Sequence, residues 1–573
     1  MLITKKNNAA PTGLGGIGIF KHHSFLWIKS RLKITEYRVF ALLLLIGGVY
    51  FFLFWPVNFL GTRDQTMISI FEPDEFAQYS HPIRMLNLPG NTLGQSIYRF
   101  VAYQHYYYGY PFYFYSAVIA LIPLKFTLGL GNTAYNMLLL RQLVSVLPMI
   151  AAVLLLVYLQ TKFHSYSRSV FLFIFLLTIP SVVQNDTWWH PESVVFLFII
   201  LTFFFLSKDN HSFGKYFYLS AVACGLAVAT KLIGLFFFIT IPTYVFLGWQ
   251  QQRINLGKAI RVSIQFVALM AITFVISNPF LFFASEREAA FKIQKHQSEA
   301  MSSGFVLSYA RGPAAWLPLI TKNYAQPLFI LLSFVALGVG VARKETRLLS
   351  LLIATWSIPF MLYLLFQVVI KPKHFFIPIL LPVFSTLPYL FDILWPRSFH
   401  LVKGNLLKPA LLAVTLIIVL MQVAYNFNFD VDHYLAELNK EKDSQAIQFY
   451  EKINNKVFSR IPIDEHLVIF RDVHTYVADL PRWDVEFRWG LQDYETIQNA
   501  NADVLVLWNQ ALHDYTQDGA AERALDQAKF AESARFYRDV LNNTVEGYYM
   551  VYQDSFGVAY VSAALYDRYF RQP

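Results

Sequence analysis

Residues 72–76 read Glu-Pro-Asp-Glu-Phe and set two adjacent carboxylates, Asp74 and Glu75, roughly a dozen residues beyond a long apolar run. A carboxylate held near a membrane surface can take the proton of an acceptor hydroxyl. It can also meet there a donor whose lipid tail is anchored in the bilayer. The same residues suit a plain helix start, with proline and then acids in the first turn. A second acidic stretch, Asn-Asp-Thr-Trp-Trp-His-Pro-Glu-Ser at 185–193, supplies Asp186, His190 and Glu192. Glu192 falls at the edge of an apolar run, where an unpaired carboxylate is costly and usually functional. Trp188 and Trp189 offer faces that stack on a sugar, or else form an interfacial tryptophan belt.

The cations that could answer these acids also sit between apolar runs. Lys231 lies in Ala-Thr-Lys-Leu-Ile-Gly (229–234), and Val-Ile-Lys-Pro-Lys-His-Phe-Phe (369–376) adds Lys371, Lys373 and His374. Arg141 opens another apolar run on the same side. Such cations either snorkel to the surface or hold a phosphate, on which negative charge grows as its bond to a sugar breaks. The loop 284–326 carries Glu286, Arg287, Glu288, Lys292, Lys295, His296, Glu299 and Arg311. It reads as an amphipathic surface helix and then a Ser-Ser-Gly segment, either a plain connection or a way in for a lipid. No phosphate-cradling, dinucleotide or HExxH motif is present. His190, His296 and His374 lack the spacing of metal ligands, so no cofactor is required; the clustered carboxylates admit a divalent cation without demanding one.

The elements that must position these residues are membrane helices. The chain has 573 residues, 56% hydrophobic and only 15% charged, against about 25% charged in a soluble domain. Its net charge of +10 is spread in short clusters between apolar runs rather than along one stripe. That is a membrane pattern and not a nucleic-acid surface. The lone Cys224 rules out an internal disulfide framework. Apolar runs at 39–60, 137–160, 169–184, 192–207, 216–230, 232–249, 262–283, 327–342, 348–369, 375–396 and 409–427 predict about eleven transmembrane helices.

A twelfth apolar segment, 111–128, decides the sidedness. If it does not span, the basic N-terminal segment 1–37 and the basic loops 161–168, 208–215, 250–261, 343–347 and 397–408 all fall on the cytoplasmic side. It is therefore expected to be a juxtamembrane helix on the outer face. Asp74, in a first external loop 61–136, then shares that face with Asp186, His190, Lys231 and the 371–374 turn. Residues 38–428 form the expected membrane domain. Residues 429–573 return to ordinary polarity, with helical patterns at 433–457 and 519–540. Strand-like runs (His-Leu-Val-Ile-Phe, Asp-Val-Leu-Val-Leu-Trp, Gly-Tyr-Tyr-Met-Val-Tyr, Gly-Val-Ala-Tyr-Val-Ser) complete a small extracytoplasmic α/β domain.

A basic N-terminus, one span and then Pro-Asp-Glu in a long external loop resembles the GT-C superfamily of membrane glycosyltransferases. The likeness is nearest to lipid-A aminoarabinose transferases and protein O-mannosyltransferases. Further segments match in the same order: PFYFYSAV (111–118), RQLVSVLP (141–148), HPES (190–193), ATKLIG (229–234), SNPFLFF (277–283) and KHFFIPILLP (373–382). Together they cover roughly residues 38–390. Glu192 stands where the family usually has aspartate, and Leu232 replaces a glycine. The resemblance implies an integral protein of a bacterial inner or plasma membrane that takes a sugar from a polyprenyl-phosphate carrier. The acceptor would be a lipid, glycan or protein. Asp74 would be the catalytic base, Lys231 a ligand of the carrier phosphate, and direct displacement would invert the anomeric carbon. A transporter or lipid flippase would use the same charges as a translocation path, although no internal repeat supports it. A non-catalytic assembly protein is the third reading.

Overall fold

The computed structural model describes residues 34–88, 92–394 and 407–571. Most of the basic N-terminal segment and of the 397–408 loop thus lies outside the described residues. Each of the eleven apolar runs is mainly helical. Among the described residues, seven helices are long and apolar enough to cross a membrane, nine if each of two bent pairs counts as one. The expected count of eleven is therefore not reached on length and composition. The segment predicted at 169–184 breaks into Tyr166–Leu177 and Pro180–Asp186, bent by 64°. Pro180, at the first helical position, cannot continue the preceding ladder and starts a new helix. Pro327–Ala342 is likewise bent by 95° from Pro313–Asn323, with prolines at both starts. Lys215–Thr230 is a shorter apolar helix, ending at the extended backbone of Lys231.

The first inter-span segment is built from short helices. Gln65–Phe71 is capped by Asp64, whose carboxylate accepts from Met67 N at 2.7 Å. Glu72 then adopts a non-helical backbone (φ −141°, ψ 84°), since the proline that follows disfavours the helical region at this position. Pro73 opens the helix Pro73–Leu86. The aromatic segment expected to lie along the surface is helical from Tyr110 to Thr127, with a π-helical turn at Ser116–Leu121. A core of Tyr103, Tyr113, Phe112, Trp189 and Met137 joins these helices to the bundle.

The helix Leu407–Asp443 runs straight through the boundary proposed at 428/429. A mixed five-stranded sheet follows: β1 (Leu467–Arg471), β2 (Trp483–Phe487), β3 (Val504–Trp508), β4 (Tyr548–Gln553) and β5 (Gly557–Ser562), in the order β2-β1-β3-β5-β4. β1 runs parallel to β2 and β3, while β5 is antiparallel to β3 and β4. Four strands match the runs read from the sequence. β2 was missed, although Trp-Asp-Val-Glu-Phe carries the alternation of a half-buried strand; it is a short strand at the sheet edge. The domain sits on the first inter-span segment: Thr66 Oγ1 donates to Val477 O (2.7 Å) and Tyr476 Oη to Asp64 Oδ2 (2.9 Å).

Candidate active site

Asp74, Glu72, His190, Glu192, Lys231, Lys373 and His374 line one cavity of about 970 Å³. They come from four separate stretches of chain. Asp74 lies in the first turn of Pro73–Leu86 and presents its carboxyl to the cavity. Its surface is accessible, but the space it faces is walled by protein. That enclosure pushes its pKa up, with the nearby His190 and Lys231 pulling the other way. Glu72 shares the cavity and is pushed up to about 7, again chiefly by burial.

Glu192 is the hub of the opposite wall. It is 2% exposed. Its Oε1 contacts Lys231 Nζ and lies 3.3 Å from His374 Nε2, while its Oε2 contacts His190 Nδ1. Trp188 stacks on the His190 ring at 4.0 Å, and Tyr108 Oη lies 2.5 Å from His190 Nε2. The Lys231 ammonium also faces the Phe375 ring at 4.9 Å. Ser181 Oγ (2.8 Å) and Tyr324 Oη both donate to the Lys373 carbonyl, which fixes the 371–374 turn. Gly109 N donates to Thr230 O at 3.0 Å, so the 108–110 turn abuts the backbone just before Lys231. A Cβ on Gly109 would collide with Ala229 O, so only glycine permits this approach.

Other residues singled out in the sequence lie elsewhere. Glu75 and Arg141 are both fully buried and pair with each other: Arg141 Nε donates to Glu75 Oε1 at 2.8 Å and Nη2 to Oε2. Trp189 N donates to Glu75 Oε1 at 2.6 Å, and Arg141 Nη1 to the carbonyls of Asn58 and Leu60. Glu75 and Asp74 cannot face the same space, because successive helix residues diverge by about 100° around the axis. Asp186 is buried against Tyr50, whose hydroxyl donates to Oδ2 at 2.8 Å. Lys371 turns away from the cavity and donates to Ala310 O at 2.7 Å.

Sequence reading missed Glu72, although it stands inside the acidic motif. Its non-helical backbone before Pro73 sets it apart from the helical acids, and it lines the cavity. It also missed that His190, Glu192 and His374 converge: their ligand atoms all lie within 4.8 Å of one another. Two imidazoles and a carboxylate suit a zinc-like ion. The donor set fits, but His190 Nδ1 and Glu192 Oε2 already face each other. Lys231 Nζ, however, already contacts Glu192 Oε1, so an ion would have to share that carboxylate with an ammonium.

Much of the remaining lining is apolar, although Arg287, Gln294, Gln297 and Ser298 also face the cavity. Phe274, Phe291, Met301, Phe360 and Leu364 line it. One wall is the helix Ala284–Ser303, whose Glu286 accepts hydrogen bonds from Tyr98 and Tyr106 of the first inter-span segment. The amphipathic helix expected in the 284–326 loop is thus present, and it encloses the site. A polar end with acids and cations, continued by a greasy chamber, can hold an anionic headgroup and its hydrocarbon tail together.

The family model of dolichyl-phosphate-mannose-protein mannosyltransferases matches residues 95–293. No curated protein matches the chain. Among solved structures, ArnT from Cupriavidus metallidurans bound to undecaprenyl phosphate shares 13% identity at a TM-score of 0.50, covering 93% of this chain and 99% of that one. AglB from Archaeoglobus fulgidus, an archaeal oligosaccharyltransferase, shares 11% identity over 94% of this chain and 75% of that one, at a TM-score of 0.44. The resemblance first carried by short motifs is thus joined by a family-model match over residues 95–293, which hold His190, Glu192 and Lys231 but not Asp74 or His374, and by a fold similar to that of ArnT over 93% of the chain.

Proposed function

We propose that the chain is an inverting glycosyltransferase that moves a sugar from a polyprenyl-phosphate carrier to an acceptor hydroxyl on the extracytoplasmic side. The observation that carries this reading is that Asp74 and Lys231 face one cavity with an apolar chamber. Asp74 takes the proton from the acceptor hydroxyl. The acceptor oxygen attacks the anomeric carbon from the face opposite the carrier, the carbon–oxygen bond to phosphate breaks, and its electron pair leaves with the phosphate. Lys231, Lys373 and His374 receive the charge that develops there. Glu192 holds Lys231 and the two imidazoles in place and reaches the substrate through them. Glu75 and Arg141 lock the helix that carries the base. The donor's lipid tail runs along the apolar walls, as the undecaprenyl phosphate seen with ArnT and the family-model match both suggest.

A metal ion has one specific observation in its favour, the convergence of His190, Glu192 and His374. If bound, it would supply further positive charge for the phosphate. The test of the proposal is the purified chain in nanodiscs with a labelled polyprenyl-phosphate sugar and membrane extract as acceptor. Label moving into a product heavier by one sugar, with free polyprenyl phosphate released, supports the transferase. Lipid flux in proteoliposomes without any transfer would replace it with the transporter reading.

A further inference from the structure

Arg471, at the end of β1, is fully buried. Among the described residues no carboxylate lies within ion-pair distance of it. Asp64 and Asp472 favour its charge from beyond that distance; with no direct ion pair, a buried guanidinium depends on its hydrogen bonds to offset the cost of burial. Its Nη1 donates to the carbonyls of Asp472, Val473 and Thr475 in its own domain, the last at 2.6 Å. Its Nη2 reaches out of the domain and donates to Ser69 Oγ at 2.7 Å. Ser69 lies in Gln65–Phe71, three residues before Glu72 and five before Asp74. A second route leads to the same place. The guanidinium stacks on Phe487 of β2 at 5.5 Å, and the Phe487 ring packs edge-on against Phe76 at 4.9 Å, two residues past Asp74. One buried side chain of the C-terminal domain therefore touches Ser69 before the Glu72–Pro73–Asp74 turn directly and reaches Phe76 after it through Phe487.

We propose that Arg471 is a positioning residue for transfer: through Ser69 on one side and Phe487 on the other, it sets the direction in which the Asp74 carboxyl enters the cavity. This gives the C-terminal domain a part in the reaction, and it rests on the assignment of Asp74 as base. An error of about an ångström in the reacting geometry can cost a hundred-fold in rate, whereas carrier binding to the lysine wall is left alone.

The test is kcat and donor KM of the full chain in nanodiscs for Arg471→Met, Arg471→Lys, Ser69→Ala and Val561→Ala, with thermal midpoints measured alongside. Val561 lies buried in β5, away from the link, and serves as a change that loosens the same domain. Expected are a fall in kcat of about ten- to a hundred-fold for Arg471→Met with donor KM unchanged, partial rescue by Arg471→Lys, and an intermediate loss for Ser69→Ala. Val561→Ala lowers the midpoint but keeps kcat. Wild-type kcat in Arg471→Met and Ser69→Ala overturns the proposal, as does a kcat loss in Val561→Ala that tracks its midpoint. If Arg471→Met does not fold, Ser69→Ala and Arg471→Lys decide. Full transfer by Asp74→Asn would instead remove the base assignment itself, a separate failure.

Discussion

At the level of single residues, labour is divided between an acid wall and a basic wall. A general base supplies about 10²- to 10⁴-fold, so Asp74→Asn is expected to lose that much kcat. Lys231→Ala is expected to lose about 10²- to 10³-fold, the size of a missing stabiliser of developing charge, with Lys231→Arg recovering part. Steady-state transfer assays check both, and wild-type rates in either would contradict the roles. The pH dependence has a definite sign. A base works deprotonated, and the protein walls around the accessible Asp74 raise its pKa from the ordinary aspartate value by desolvation. Transfer should therefore fall, as pH drops, at a value above the usual aspartate figure of about 4. Glu72, at about 7, titrates beside it, and Glu72→Gln should simplify the acid limb of the kcat profile. A limb at or below pH 4 would mean that Asp74 is not the group being titrated.

At the scale of elements, the phase of one helix decides which acids can meet substrate. Pro73–Leu86 turns Asp74 to the cavity and Glu75 inward onto Arg141. Glu75→Ala would leave a buried guanidinium unpaired, at a cost of about 3–5 kcal/mol. It is expected to show as a lower thermal midpoint in detergent and not only as slower transfer. Gly109→Ala drives a Cβ into Ala229 O, so the backbone before Lys231 must move; reduced donor binding is the expected readout. The helices themselves were legible in the sequence, because lipid forces each apolar run to satisfy its backbone internally. The bend at Pro180 was not, since the run that holds it stays largely apolar on both sides, and the helix Pro313–Asn323 before Pro327 was hidden in a stretch read as a loop. The motif pairing Asp74 with Lys231 was readable from order and sidedness. The meeting of His374 with His190 and Glu192 was not, because nothing local in the sequence records a contact between segments so far apart. The partner of Glu75 was hidden for the same reason.

At the scale of the whole molecule, the C-terminal domain and the first inter-span segment are bound together, so they share one side of the membrane. The basic loops predict that this side is extracytoplasmic. The native Cys224 is buried, so single cysteines can report without removing it. Ile463→Cys, on the exposed surface of the domain, should react with an impermeant maleimide in intact cells, and Lys344→Cys should react only after lysis. The reverse pattern would put the site in the cytoplasm. The central claim is that one cavity holds a carrier phosphate on its lysine wall while Asp74, across the same space, activates the acceptor. Donor binding and single-turnover transfer measured together on Asp74→Asn and Lys231→Ala test it most directly. The account predicts that Asp74→Asn binds the polyprenyl-phosphate sugar as wild type does yet fails to transfer it, while Lys231→Ala loses binding. Asp74→Asn that transfers at the wild-type rate, or that loses binding and transfer together, would contradict it.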